Sequence, residues 1–212
     1  MIPVKICGIT SIADAELAIS HGAAAIGLIC YEKSPRYVTP EQAAKISSAV
    51  AGRAKIVGVF VNEAPHAIRA LVEQIGLDWV QLSGDEPPRM ATDLGVPVIK
   101  AFHVGPDFDP ATMAAYVTAA WMLDTYSPAA YGGTGENFAW DKIDRSIITR
   151  PLVLSGGLTP DNISAAISAL QPNAVDVNSG VEAEPGKKDR KKLEQLFAVL
   201  ADVGYEGDNL FA

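Results

Sequence analysis

Pro151-Leu152-Val153-Leu154-Ser155-Gly156-Gly157-Leu158-Thr159-Pro160-Asp161-Asn162 carries a whole structural unit. An apolar run ends in a Ser-Gly-Gly turn, and Pro160-Asp161-Asn162 opens a helical pattern that runs to Leu170. The next apolar run, 174–177, repeats the plan and ends in Asn178-Ser179-Gly180-Val181-Glu182. Such runs, without polar alternation, belong to strands buried on both faces.

The same unit recurs toward the N-terminus. Apolar runs at 4–7, 24–29, 55–61, 79–82, 98–102 and 121–124 bring the expected strands to eight. Helical patterns lie between them. Ser11 can cap one that has Asp14 in its first turn, and Thr39 can cap another that begins at Pro40-Glu41. Apolar residues at helical spacing mark 64–75 (Ile68, Leu71, Val72, Ile75) and 188–203 (Leu193, Leu196, Phe197, Leu200). The segments after strands four to six predict only short helices.

Strands alternating with helices predict a parallel sheet with right-handed crossovers. Eight is the number that closes into an all-parallel (β/α)8 TIM barrel, whereas an open doubly wound sheet suits five or six. Seven repeats between residues 4 and 174 take about 24 residues each, near the lower limit of this architecture. A single α/β barrel domain over 1–203 is therefore expected, with 204–212 as a C-terminal tail.

Composition narrows the function. The 212 residues include 17 Lys and Arg against 25 Asp and Glu, a formal net charge of -8. That balance opposes non-specific binding to nucleic acid or to an anionic membrane surface. Two cysteines, Cys7 and Cys30, exclude a disulfide-rich scaffold. There is no leader pattern and no apolar run of the roughly 20 residues that a membrane span needs, so a cytoplasmic protein is expected. His21, His66 and His103 are widely spaced, and nothing argues for a metal.

In a barrel of this kind, chemistry belongs at the C-terminal ends of the strands. Cys7 ends the first, two residues after Lys5 and on the same face. A nearby cation favours the thiolate, although a free Cys is often just a small buried hydrophobe. Asp124 ends the sixth, where a carboxylate after apolar residues needs a role or a partner. It either works as an acid or caps the next turn. Residues 126–138, with Gly132-Gly133-Thr134-Gly135, read as a glycine-hinged lid or binding loop, and match neither a dinucleotide fingerprint nor a Walker loop. Barrels often bind phosphate between the loops after strands seven and eight, where Gly156, Gly157, Asn178, Ser179 and Gly180 stand. Arg36 offers a planar fork suited to a carboxylate, or is simply a surface cation. Asp176, inside an apolar run, should face a polar pocket.

Assembled in order, these positions resemble the phosphoribosylanthranilate isomerases of tryptophan biosynthesis. The likeness runs from Lys5-Ile6-Cys7-Gly8-Ile9-Thr10 through Ser34-Pro35-Arg36-Tyr37, Val80-Gln81-Leu82 and Leu123-Asp124. Gly132-Gly133-Thr134-Gly135, Leu154-Ser155-Gly156-Gly157, Asn178-Ser179-Gly180-Val181-Glu182 and Pro185-Gly186-Lys187-Lys188-Asp189 complete it. The resemblance implies an Amadori rearrangement of N-(5-phosphoribosyl)anthranilate to 1-(2-carboxyphenylamino)-1-deoxyribulose 5-phosphate. It implies Asp124 as general acid and Cys7 as general base. It also implies Arg36 on the anthranilate carboxylate, and the two glycine loops on phosphate. Those roles ask for an Asp124 pKa raised by apolar surroundings and a Cys7 pKa lowered by Lys5. Ser83 departs from the family pattern, which often has His there, and Asn178 stands where Ser is common.

A phosphorylated small molecule is then the expected partner. No cofactor, metal, nucleic acid or membrane is expected, and the chain is a monomer or homodimer. Two other readings stand beside this one. A related isomerase of histidine biosynthesis would carry Asp at the first strand end and a second phosphate loop after the third, neither of which is present. A non-catalytic phosphosugar-binding barrel would not need Cys7 and Asp124.

Overall fold

A computed structural model of the chain describes residues 1–125 and 143–212. Eight parallel strands close into a barrel in chain order: β1 Val4–Ile6, β2 Ala25–Ile29, β3 Lys55–Phe60, β4 Trp79–Leu82, β5 Val98–Val104, β6 Ala120–Thr125, β7 Leu152–Leu154 and β8 Ala174–Val177. The ring shuts where β8 pairs with β1, Asp176 beside Lys5. The expected (β/α)8 architecture is the one observed.

Among the described residues, five α-helices pack around it: α1 Ile12–His21, α2 Pro40–Val50, α3 Pro65–Ile75, α4 Ile163–Leu170 and α5 Arg190–Ala201. Their starts follow the local chemistry. Ser11 accepts from the Asp14 N–H and Thr39 from the Gln42 N–H, each filling a donor that the first helical turn leaves open. The last helix begins two residues later than expected. Asp189 caps it by accepting from the Lys191 and Lys192 N–H groups, while Lys187–Lys188 forms β10, antiparallel to β9 (Glu182–Glu184). Between β4 and β6 the crossovers are single 3-10 turns, Pro88–Thr92 and Pro110–Ala115. The expected lid at 126–138 lies outside the described residues. No described helix is long and apolar enough to cross a membrane.

Two apolar clusters follow from the two faces of the strands. The larger lies between barrel and helices, and includes Ile6, Ile26, Leu28, Phe60, Leu82, Trp121 and Leu123. The smaller fills the barrel itself with Ala25, Val57, Trp79, Ile99, Ala101, Ala120, Met122, Val153 and Ala174. Phe211, from the C-terminal tail, joins this inner cluster and meets Trp79 edge-on at 5.6 Å between ring centroids. The tail therefore closes the N-terminal mouth. Tyr205 tethers it by donating to the Asn173 carbonyl at 3.0 Å. By the two-residue alternation of a strand, most of the inward places further along are polar: Lys5, Cys7, Gln81, Ser83, His103, Asp124, Ser155 and Asp176, with Gly27 and Val59 among the exceptions.

Candidate active site

Lys5 and Asp176 form the floor of this polar end. Lys5 is fully buried, and its Nζ donates to Asp176 Oδ1 at 2.8 Å. Burial disfavours the ammonium, but Asp176 and Cys7 outweigh that and hold the Lys5 pKa above its ordinary value. Asp176 is thus buried with its charge paired to Lys5.

Cys7 sits just past β1, its N–H still bonded to the Val177 carbonyl at 2.9 Å. Room for its side chain comes from the neighbouring strand. A methyl group on Gly27 would lie 2.7 Å from Cys7 Sγ and 3.1 Å from Lys5 Cε, so only glycine leaves the thiol and the ammonium in place. Burial pushes the thiol pKa up, and Asp176 adds to it. Lys5 and, more weakly, Lys188 pull it down without reversing the shift. This corrects the expected lowering: the cation is present, but desolvation prevails and the thiol pKa stands above its ordinary value.

Asp124 is half-buried at the end of β6. Burial raises its pKa to about 6; His103 opposes this, Asp176 adds to it, and the Thr125 N–H and Lys5 oppose it. The Thr125 N–H donates to Asp124 Oδ1 at 2.8 Å, which orients the carboxyl as a turn cap would. Capping and an acidic role are therefore compatible. Lys5 and Asp176 influence both Cys7 and Asp124, so the thiol and the carboxyl share one electrostatic environment.

Beside this centre, the loops after β7 and β8 enclose an open pocket lined by Gly157, Thr159, Pro160, Asp161, Ser179, Gly180, Lys192 and Gln195. Asn162 pins the first loop, its Oδ1 accepting from the Thr159 N–H and its Nδ2 donating to the Gly157 carbonyl. A side chain at Gly180 would strike the Leu158 carbonyl, so glycine is required where the loops meet. Among the described residues, the N–H groups of Gly157, Ser179 and Gly180 find no protein acceptor. Gly156 and Asn178, expected in the same role, do not line the pocket. Gly156 has φ +89° and packs against Thr125, while Asn178 Oδ1 accepts from Lys188 Nζ at 3.1 Å.

Arg36 is a buried group rather than a surface cation. Its Nε donates to Glu182 Oε1 at 2.9 Å and its Nη2 to Glu182 Oε2 at 2.7 Å. Lys188 Nζ reaches the same carboxylate at 3.0 Å. Burial alone would raise the Glu182 pKa, but Arg36 and Lys188 hold it below the usual carboxylate range. Nη1 of Arg36 makes no hydrogen bond among the described residues. Gly8, at φ +69°, lets Arg36 Cδ and Asn178 close over the end of β1; a methyl group there would lie 2.7 Å from that Cδ.

Three polar groups of this site were not singled out from the sequence: His103, Glu182 and Lys188. For His103 a signal existed. Strand β5 runs to Val104, two residues beyond its expected end, and alternation after Ile99 and Ala101 turns His103 inward, in register with Asp124. Among the described residues, no group of three or more His, Cys, Asp or Glu is placed to hold a metal ion.

Comparison with known proteins bears on this arrangement. A sequence model of the N-(5'phosphoribosyl)anthranilate (PRA) isomerase family matches residues 4–199. The N-(5'-phosphoribosyl)anthranilate isomerase of Geobacter sulfurreducens is 46% identical over 197 residues, 93% of this chain and 97% of that protein. The crystal structure of phosphoribosyl anthranilate isomerase from Thermotoga maritima superposes with a TM-score of 0.87 at 39% identity, covering 96% of this chain and all of that one. A further phosphoribosyl anthranilate isomerase structure, in complex with reduced 1-(o-carboxyphenylamino)-1-deoxyribulose 5-phosphate, gives 0.84 at 38% identity over 96% of this chain and 100% of its own.

Proposed function

The chain belongs to the N-(5'-phosphoribosyl)anthranilate isomerase family, whose reaction in tryptophan biosynthesis is its activity, and we propose that Asp124 and Cys7 carry out that isomerisation as general acid and general base. What supports the pairing above all is that Asp124, with a pKa near 6, shares its Lys5–Asp176 surroundings with Cys7 at the C-terminal ends of the strands.

The chemistry then runs as follows. The carboxylic acid of Asp124 gives its proton to the furanose ring oxygen of N-(5-phosphoribosyl)anthranilate. The bond from that oxygen to C1′ breaks, and the anthranilate nitrogen supplies electrons to form a Schiff base. Cys7, as thiolate, removes the C2′ proton, and the electrons of that bond leave an enolamine. Protonation at C1′ and loss of the enol proton give the aminoketose. An acid with a pKa near the working pH suits the first step. The base acts as thiolate, and the adjacent Lys5 and Lys188 charges favour that form over the same thiol without them, against the burial that raises its pKa. No step in this scheme uses a metal ion or a nucleotide.

Substrate binding follows from the surrounding groups. The N–H groups of Gly157, Ser179 and Gly180, with the ammonium of Lys192, receive the phosphate. Arg36, held by Glu182 through two of its nitrogens, presents Nη1 to the anthranilate carboxylate. Residues 1–203 act as one domain, and the tail serves that domain by sealing its lower end.

Turnover of phosphoribosylanthranilate by the purified protein in the presence of a chelator tests the scheme. Cys7→Ser and Asp124→Asn should each lower kcat by about 10² to 10⁴, the range that general acid or base catalysis contributes. A variant that kept near-normal kcat would remove its residue from the scheme.

A further inference from the structure

His103 and Asp124 are register partners on adjacent parallel strands, and alternation turns both side chains into the barrel. Neighbouring strands lie only about 4.8 Å apart, so imidazole and carboxyl occupy the same level side by side. The imidazole is fixed from the other side. His103 Nε2 lies 2.9 Å from the Ser83 carbonyl oxygen, at the end of β4. A carbonyl only accepts, so Nε2 carries a hydrogen in every protonation state that keeps this contact. The neutral ring is then the Nε2–H tautomer, and a second proton on Nδ1 makes it a cation.

The Ser83 end is itself built. Gln81 Nε2 donates to Ser83 Oγ at 2.9 Å, both side chains buried. Below it, a buried Glu86–Lys100 pair at 2.7 Å secures the turn: Glu86 accepts from the Asn62 and Gly84 N–H groups, and Lys100 donates to the Gly84 carbonyl. A bifunctional side chain clamped to such a turn cannot swing away from Asp124 without giving up that contact.

From this geometry we propose that His103 is a positioning residue for the acid step, its imidazole stabilising the Asp124 carboxylate left when the proton has moved to the substrate. The inference rests on the reading of Asp124 as general acid. Among the described residues, the other titratable groups that act on Asp124 are Lys5 from β1 and Asp176 from β8, while by strand alternation β7 turns Ser155 and β4 turns Gln81 and Ser83 toward the same end of the barrel. Lys5 is already committed to Asp176. His103 is therefore the partner that β5 adds on the side of Asp124 away from that pair. Its influence on Asp124, favouring the charged form, opposes burial more than any other group does.

The test separates charge from tethering. His103→Gln keeps an N–H for the Ser83 carbonyl but cannot be charged, and His103→Leu loses both. With His103→Gln, kcat should fall roughly tenfold with KM nearly unchanged. The limb of the kcat–pH profile that reports Asp124 should move up by about half a unit or more. His103→Leu should do the same, with a lower unfolding midpoint because the turn loses its tether. In an Asp124→Asn background, His103→Gln should change the residual rate little, since a group acting through Asp124 has nothing left to act on. Wild-type kcat and pH profile in His103→Gln would overturn the proposal, as would an equal loss in both backgrounds, while leaving Asp124 as the acid. Near-normal kcat in Asp124→Asn alone would overturn the acid reading and this inference with it.

Discussion

Asp124→Asn should make the protein more stable as it makes the enzyme less active. Burial raises the Asp124 pKa from 3.8 to about 6 in the folded chain. Each unit of such a shift is worth about 1.4 kcal/mol. The folded state therefore binds this proton more tightly than the unfolded state does, and stability is lost as pH rises from about 4 through about 6. By pH 8 the full difference, about 3 kcal/mol, opposes folding, and partial access of the carboxyl to cavity water trims it to about 2–3 kcal/mol. Asparagine carries no charge at any pH, and its Oδ1 can still accept from the Thr125 N–H. Urea unfolding at pH 8 should show the variant about 2–3 kcal/mol more stable than the parent, or roughly 5–10 °C higher in Tm for a domain of this size. At pH 4.5 the same comparison should give only about 1 kcal/mol, because the parent then keeps its proton when folded. Equal or lower stability of the variant at pH 8, or a gain that did not change with pH, would refute the claim that this site holds an acid at an energetic cost.

Gly27→Ala should cost roughly 10- to 100-fold in kcat, because the added methyl group displaces Cys7 Sγ and Lys5 Cε from a site where a shift of about 1 Å matters. Steady-state kinetics at saturating substrate decide it, and an unchanged kcat would show that the thiol needs no fixed place. Phe211→Ala should do the opposite. It removes a ring from the inner cluster at the far end of the barrel, lowering stability by about 3 kcal/mol in a denaturant titration while kcat stays within about twofold of the parent. A loss under about 1 kcal/mol would mean that the tail merely rests against Trp79.

Local patterns in the sequence carried the architecture. Eight apolar runs, the Ser11 and Thr39 caps and the two glycine loops all depend on residues within a few positions of each other, and each was legible. So were Cys7, Asp124 and Asp176, because a strand end or an apolar run makes a polar residue conspicuous. What was hidden depends on distance along the chain. Arg36 meets Glu182 across 146 positions, and neither residue hints at the other. The upward shift at Cys7 was missed because spacing reveals the nearby Lys5 but not how completely the thiol is desolvated. His103 is hidden because the apolar run of β5 stops at Phe102 while the strand continues to Val104, so the run does not reveal its inward direction. Lys188 was assigned to the start of a helix, and only the β9–β10 hairpin brings it to Glu182 and the end of β1. Phe211 lay in a segment whose composition says nothing about where its aromatic ring goes.

The Lys5–Asp176 pair joins the first strand of the ring to the last, 171 positions apart. The floor of the reaction centre and the seam of the barrel are therefore the same contact. A refolding chain can build helices and neighbouring strand pairs piecemeal, but it cannot bring Asp176 beside Lys5, or a thiol under their shared influence, before the ends meet. Recovery of turnover during refolding then marks the slow, long-range closure step and no earlier one. A fragment carrying only the first or second half of the strands would hold the parts of the chemistry without its electrostatics.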